Sequence, residues 1–505
     1  MNQLLSDARG AQRARVAILD WPSLDAVDGV LDRLLALMGG LERFVRPGQY
    51  VLIKPNLVAG APPESGGTTH VELIEALVRR VQRLGPGRLV VAEGAAVADP
   101  ARTFELLGYR AMADRTGVEL VDLDHAEHDP RPLADPRYPG TLEVARPILE
   151  CDVLISVGCL KTHINAGITV ALKNAFGTIT QEARTRIHRE YRLEECLCDL
   201  CRIRPPDLVI IDGLVGADGV AGGADFSRPA NARLMLAGDN AVATDAIGAR
   251  VMRQDVHIRT MDWAAEYGMG PNDPAAIEVV GLGVDEASRP YLSPAAHLVG
   301  TMKGLELVDL GSCTGCRAIL EPALSRYRGM ELARPLRVVL GGEGRTDAIE
   351  PSAEGGALLV VGDCARGLRH AGSFIAGCPP KAEEIHTFLR ESGLACQRCH
   401  PALRQVLAEI EGTPLHADLR ALCGGELVHQ GANNKARPAD LGLLVGNCMA
   451  HYYHNSRKRA DQVLGGRADN VVLVPGCPPT LDEVRAGLAQ VQAVADRRAT
   501  AAGSA

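Results

Sequence analysis

One cysteine pattern occurs twice in this chain, and it limits what the second half can fold into more than any other feature. The first copy reads Cys313-Thr-Gly-Cys316, then Gly362-Asp-Cys364, then Gly377-Cys378-Pro-Pro. The second reads Cys396-Gln-Arg-Cys399, then Gly446-Asn-Cys448, then Gly476-Cys477-Pro-Pro. Cys313 and Cys396 are 83 positions apart, as are Cys316 and Cys399, Leu320 and Leu403, and Gly341 and Gly424. Cys364 and Cys448 are 84 apart, and Cys378 and Cys477 are 99 apart, so the second copy carries fifteen additional residues, His451, Tyr452, Tyr453 and His454 among them. Matches at a near-constant offset across glycines, leucines and cysteines describe an internal repeat. Four thiolates per copy is the number that one cubane iron–sulfur cluster requires. A structural zinc ion accepts the same four, and buried cysteines with no ligand role are the third reading. Glycine before each later cysteine lets backbone approach a bound group closely.

The length of 505 residues allows two to four domains. Apolar residues make up 46% of the chain and aromatics only 3%, so its cores are built from Leu, Val, Ala and Ile. The net charge is −8 with no long basic run, which argues against nucleic acid as the main partner. No apolar run approaches the roughly 18 residues of a membrane span, and the first twenty residues contain no hydrophobic signal core. The expected compartment is the cytoplasm, where fourteen cysteines with CxxC spacing point to metal rather than disulfides.

Short apolar runs at 14–20, 51–58, 88–94, 118–122, 153–157, 208–212, 234–237 and 277–280 alternate with helical patterns such as 71–84. Such a chain predicts an α/β fold with a mostly parallel sheet covered on both faces, over residues 14–284. A connector with Pro290 and Pro294 follows. Residues 305–388 and 389–492 then predict two tandem flavodoxin-like α/β repeats that carry the iron–sulfur sites, with cysteines on loops at one edge. The tail beyond about residue 493 is expected to be unstructured.

Polar motifs of the first domain fall at predicted strand ends, where open α/β sheets bind ligands. Lys54-Pro-Asn56 ends one strand and Cys159-Leu-Lys161-Thr162-His163 ends another. Lys173-Asn174, His188, Asp212 and Asp245 follow. Lysines there would hold a carboxylate or phosphate as point charges, and the histidines would transfer protons near neutral pH. The expected catalytic groups are Lys161, His163, Lys173 and His188. The expected substrate ligands are Lys54, Asn56, Thr162, Asn174, Asp212 and Asp245. For each taken singly, the plain alternative is a cap, a salt bridge or a solvated charge. Cys196, Cys198 and Cys201 lie on a helical pattern and read as core, as does Cys423 on a strand; Cys159 also reads as structural. No P-loop is present, and Gly281-Leu-Gly283 is too short for a dinucleotide fingerprint.

Two resemblances attach to these motifs. Cys-Thr-Gly-Cys, Gly-x-Cys-Ala and Gly-Cys-Pro-Pro-x-x-x-Glu resemble the small subunit of nickel–iron hydrogenases and the related cluster-bearing subunit of complex I. The likeness covers roughly residues 305–492. It implies Cys313, Cys316, Cys364 and Cys378 as ligands of one 4Fe-4S cluster and, through the repeat, Cys396, Cys399, Cys448 and Cys477 as ligands of a second. The chain departs from that pattern: Cys396-Gln-Arg-Cys399 lacks the glycine, and Arg317 stands where an acidic residue is usual. Over roughly residues 15–285, Lys-Pro-Asn, Leu-Lys-Thr-His, Leu-Lys-Asn-x-Phe-Gly and Ile-Ile-Asp-Gly-Leu-Val-Gly resemble the domain of unknown function 362.

Together these readings lead to an iron–sulfur oxidoreductase, a reductase for a small anionic or conjugated substrate. A ferredoxin-like or flavodoxin-like protein would supply its electrons. The alternative is a non-catalytic subunit that carries clusters for a larger redox complex. Either reading leaves room for an oligomer.

Overall fold

The structure is a computed structural model that describes residues 13–503, apart from residues 59, 95–99, 222–225, 255, 326–330, 348, 350–354, 393–399, 424–425, 430–440, 446–470 and 475–478. The chain divides into two compact units. The first is Met1–Ala296 together with Cys313–Ala318, and the second is His297–Ser312 with Ile319–Ala505.

The strands of the first unit are β1 (Arg15–Asp20), β2 (Tyr50–Lys54), β3 (Arg88–Glu93), β4 (Glu119–Asp122), β5 (His128–Arg131), β6 (Leu142–Ala145), β7 (Val153–His163), β8 (Gly167–Thr169), β9 (Leu208–Ala217), β10 (Pro229–Ala230), β11 (Leu234–Gly238) and β12 (Glu278–Gly281). The main sheet runs β12-β1-β11-β9-β7-β2-β3-β4. All neighbours in it are parallel except β11, which is antiparallel to both β1 and β9. The expected mostly parallel sheet is present, with one reversed strand inside it.

Alternate residues of the central strands face opposite layers. Ala17, Val51, Ile53, Ile155 and Ile210 pack with the helices Val27–Leu37 and Val71–Arg83. Ile18, Val209 and Ile211 pack with the helix Ala241–Val251 on the other face, and Leu52, Val90 and Leu154 with the helix Leu193–Ile203. Burial on both faces is why these strands read as unbroken apolar runs.

Two strands continue past their expected ends. β7 runs on through Lys161, Thr162 and His163 because β8 folds back against them as an antiparallel partner. Those residues therefore stand on a strand extension rather than in a loop. β9 likewise runs to Ala217, which places Asp212 inside the strand, and Asp245 lies within the helix Ala241–Val251.

The second unit holds β13 (Lys303–Leu310), β14 (Glu331–Gly341), β15 (Ala357–Val361), β16 (Ser373–Ile375), β17 (Leu419–Cys423), β18 (Glu426–His429), β19 (Leu441–Val445) and β20 (Val471–Val474). They form two four-stranded sheets, β13-β14-β15-β16 and β18-β17-β19-β20. The first is parallel throughout, and in the second only β18 is reversed. Strands β14, β15 and β16 occupy the same places as β17, β19 and β20, as the offset pattern requires. In the edge position held by β13, the second sheet has the reversed β18. The tail expected to be unstructured is helical instead, because Leu481–Gly503 forms one helix whose Val484, Leu488 and Val491 pack into an apolar cluster.

Gly158, midway along β7, tests this packing. A Cβ there would lie 2.0 Å from the carbonyl oxygen of Val170, so only glycine lets the 170–172 segment lie flat on the strand. Gly158→Ala is expected to lower the unfolding free energy by about 3 kcal/mol. Gly29→Ala, at a helix position with open space, should raise it by up to about 1 kcal/mol. Urea midpoints of the two variants moving in the same direction would refute the packing argument.

Candidate functional site

The site begins where β2 and β3 end. Lys54 and Glu93 are the last residues of those strands, both buried, and they form an ion pair. Burial pulls the Lys54 pKa down and pushes the Glu93 pKa up, and their mutual attraction opposes both. The Lys54 ammonium also donates to Asn174 Oδ1 at 3.3 Å. Asn174 Nδ2 donates to Ser156 Oγ at 2.9 Å and to the Lys54 carbonyl at 3.2 Å. Glu93 Oε1 accepts from the backbone N–H of Leu57 at 3.2 Å. A Cβ on Gly177 would stand 2.7 Å from the Lys54 nitrogen, so glycine is needed for this close approach. Beside the pair, the Arg184 guanidinium grips both oxygens of Asp124 at 2.6 and 2.8 Å.

Lys161 is buried on β7 and donates to Asn56 Oδ1 at 2.9 Å and to the Gly67 carbonyl at 2.7 Å. Its nitrogen stands 5.1 Å from the centre of the Phe226 ring. Burial lowers its pKa. Lys173 is half-buried, with its nitrogen 4.9 Å from the centre of the Phe176 ring. Burial and then the charges of Lys161, Lys54 and Arg184 bring its pKa down to about 7. Among the described residues, neither Lys161 nor Lys173 has a carboxylate within ion-pairing distance.

His163 Nδ1 accepts from the backbone N–H of Asn165 at 3.0 Å, which leaves the ring hydrogen on Nε2 when the ring is neutral. Burial, with Lys173, His188 and Lys161 nearby, holds this imidazole well below its usual range. His188 lies edge-on to Phe176 with centroids 5.2 Å apart. The residue is exposed overall, but desolvation of the ring and the charges of Lys173 and Arg184 lower its pKa as well.

The remaining expected ligands have internal partners. Thr162 Oγ1 donates to the Gly219 carbonyl at 2.8 Å. Asp212 accepts from the backbone N–H and the Nδ1 of His70, both at 2.8 Å, and from the backbone N–H of Leu214 at 3.2 Å. Asp245 accepts from the backbone N–H groups of Ala171 at 2.5 Å and Leu172 at 3.4 Å, anchoring the turn that presents Lys173. Glu93, Ser156, His70 and Arg184 escaped the sequence reading. Glu93 ends its strand as Lys54 does, and that shared position was the available signal.

The cysteines fall into distinct settings. Cys313–Ala318 packs within the first unit. Thr314 donates its backbone N–H to the His257 carbonyl at 2.8 Å, and its hydroxyl bonds the buried Glu194 carboxylate. Asn165 Nδ2 donates to the Ala318 carbonyl at 3.2 Å, so one asparagine touches both His163 and the segment after Cys316. In the second unit, Cys364 and Cys378 are exposed on adjoining loops, where the Asp363 N–H donates to the Gly377 carbonyl at 3.0 Å. Cys313, Cys364 and Cys378 each follow a strand of one parallel sheet by three residues, and Cys448 and Cys477 follow β19 and β20 by the same spacing. Cys396, Cys399, Cys448 and Cys477 themselves lie outside the described residues. Among the described residues no three His, Cys, Asp or Glu groups gather as a metal site; the pairs Cys313/Cys316 and Cys364/Cys378 belong to different units. Cys196, Cys198 and Cys201 are buried on the helix Leu193–Ile203, as their apolar spacing predicts, and burial raises all three thiol pKa values. Cys159 is buried too, its thiol pushed up to about 12.

Residues 51–250 match the family model described as Domain of unknown function (DUF362). The chain is 28% identical over 252 residues to the thylakoid-associated protein sll1697 of Synechocystis, a match covering 49% of this chain and 76% of that protein. Among solved structures, the lactate racemase apoprotein from Thermoanaerobacterium thermosaccharolyticum aligns over 73% of this chain and 88% of its own, with 11% identity and a TM-score of 0.31. A Thermotoga maritima protein aligns over 72% of this chain and 95% of its own, with 10% identity and a TM-score of 0.30. Neither structural likeness is close enough to carry an argument. Among the described residues no helix is long and apolar enough to cross a membrane.

The Lys54–Glu93 pair generates a stability test. Lys54→Met or Glu93→Leu alone leaves a buried charge unpaired and should cost about 3–5 kcal/mol. The double variant should recover much of that loss. A double variant whose urea midpoint equals the sum of the two single losses would show that the groups do not interact.

Proposed function

We propose that this protein is an iron–sulfur oxidoreductase, working as a reductase. It takes a small anionic or conjugated substrate into the lysine–histidine site of the first unit. The reading rests above all on two desolvated lysine side chains, Lys161 and Lys173, that lack a carboxylate partner among the described residues, in the unit that also holds the Cys313–Cys316 segment. An uncompensated buried cation is costly, and a bound anion would relieve it.

The spacing of the cysteines supports a 4Fe-4S group. Cys313, Cys364 and Cys378 share one spacing from the ends of parallel strands, and the resemblance to hydrogenase small subunits assigns them, with Cys316, to one cluster. Cys396, Cys399, Cys448 and Cys477 would hold a second by the same repeat. Such a group supplies single electrons at low potential. A ferredoxin-like or flavodoxin-like partner fits as their source.

The chain's own residues would do the rest. Lys161, held by Asn56 and Gly67, presents a fixed positive charge to the substrate's anionic group. His163 is neutral and carries its hydrogen on Nε2, so it can donate a hydrogen bond there to negative charge that develops on the substrate, with solvent as the source of protons. Phe226 and Phe176 stand against the Lys161 and Lys173 nitrogens.

Anaerobically purified protein should contain about four iron and four sulfide per filled site. Cys364→Ala should lower iron, whereas Cys198→Ala should leave it unchanged. After reduction with dithionite, reoxidation by a panel of 2-enoates and 2-oxo acids should identify substrates. Lys161→Met should keep its iron but react roughly a hundredfold more slowly. Zinc in place of iron, or unaltered reoxidation in Lys161→Met, would refute this function.

A further inference from the structure

The three lysines of the site are held in three different ways. Lys54 is paired with Glu93. Lys161 donates to two neutral oxygens, Asn56 Oδ1 and the Gly67 carbonyl. Lys173 alone has no hydrogen-bond acceptor among the described residues; its nitrogen meets only the face of Phe176. It is half-buried and so open to a ligand. The His188 imidazole is set edge-on to the same ring. An ammonium ion needs acceptors for its three N–H groups, whereas a neutral amine can dispense with them.

We propose that Lys173 is a nucleophilic amine that forms an imine with the substrate, and that the substrate is therefore a carbonyl compound bearing an anionic group held by Lys161. This rests on the reading of the same site as a substrate pocket. Burial first, then the cationic Lys161 on β7, Lys54 on β2 and Arg184 on the helix Gln181–Arg189, bring the Lys173 pKa down to about 7 against an opposing pull from Cys196, and the neutral imidazoles of His163 and His188 lie near it as well. A substantial fraction is then free amine at neutral pH, as nucleophilic lysines require.

The step balances without a redox change. The amine lone pair attacks the carbonyl carbon, and the carbonyl oxygen takes up a proton to give a carbinolamine. The nitrogen gives up a proton to solvent, and a second proton from solvent then lets that oxygen leave as water while the C=N bond forms. Hydrolysis reverses the sequence and restores both Lys173 and the carbonyl. Reduction of the C=N bond itself would fix the product to Lys173 as a secondary amine. The reducible bond is therefore a carbon–carbon double bond conjugated with the imine. It takes up two electrons from the low-potential protein donor and two protons, and hydrolysis then frees the saturated carbonyl product.

Glyoxylate serves as the probe, with sodium cyanoborohydride to reduce the imine to a stable carboxymethyl-lysine, mapped by peptide mass spectrometry on the full-length protein. At pH 7, Lys173 should be labelled about tenfold or more faster than the exposed Lys381. Lys161→Met should slow labelling of Lys173 by glyoxylate several-fold more than its labelling by uncharged formaldehyde, because loss of the Lys161 charge raises the Lys173 pKa for both probes but removes a carboxylate partner for glyoxylate alone. Labelling of Lys173 no faster than Lys381 would overturn the imine while leaving the anion-site reading intact. Equal slowing of glyoxylate and formaldehyde labelling in Lys161→Met would overturn the assignment of the anionic group. Iron content, measured on the same samples, reports separately on the redox reading.

Discussion

The buried ion pair between Lys54 and Glu93 is the constraint on which the site of the first unit depends. It joins the carboxyl ends of two neighbouring parallel strands and, through Asn174, ties both to the turn that follows β8. Two charges taken out of water require each other, and their remaining hydrogen-bonding capacity requires Asn174 and the Leu57 amide. Gly177 is the steric counterpart of that network, because a side chain there would strike the Lys54 nitrogen. With the turn held in this way, and with Asp245 bonding its first amides, Lys173 has little freedom in where it stands.

Charge is distributed unevenly as a result. Glu93 answers Lys54 and Asp124 answers Arg184, but Lys161 and Lys173 receive no such answer among the described residues. Burial, together with the same cationic surroundings, lowers the pKa values of His163 and His188. Fixed positive charge, an amine whose pKa is lowered to about 7 and neutral imidazoles are the groups on which the proposed anion binding would draw. Asp212 and Asp245 do not cancel that charge, since each is occupied by backbone donors, and Asp212 by His70 as well.

The CxxC segment belongs to the first unit even though its strand, β13, belongs to the second. Thr314 is the reason at the level of side chains. Its amide bonds the His257 carbonyl and its hydroxyl bonds Glu194, whose burial pushes that carboxyl up to about 7. The Asn165 contact then links this segment to His163. The cysteine motif and the polar motif, separated by 150 residues of sequence (His163 to Cys313), thus share one asparagine.

Much of the fold was legible in the sequence because it depends on local periodicity. The eight apolar runs became strands, the 193–203 segment became a helix with its cysteines inward, and the offsets of the cysteine repeat reappear as matching strand positions in two sheets. Those features need only neighbours two to four residues apart, or a spacing copied along the chain. What tertiary structure alone decided was pairing. No local pattern says that Lys54 meets Glu93 and Asn174, that Asp212 meets His70, or that Lys173 is left without an acceptor. Those outcomes depend on the register of β2 against β3 and β7, and on β8 folding back along the end of β7, where Lys161 also pairs with Ala217 of β9. Sequence by itself supplied the charged and nucleophilic groups; only long-range packing determined which of them neutralise one another and which remain for chemistry.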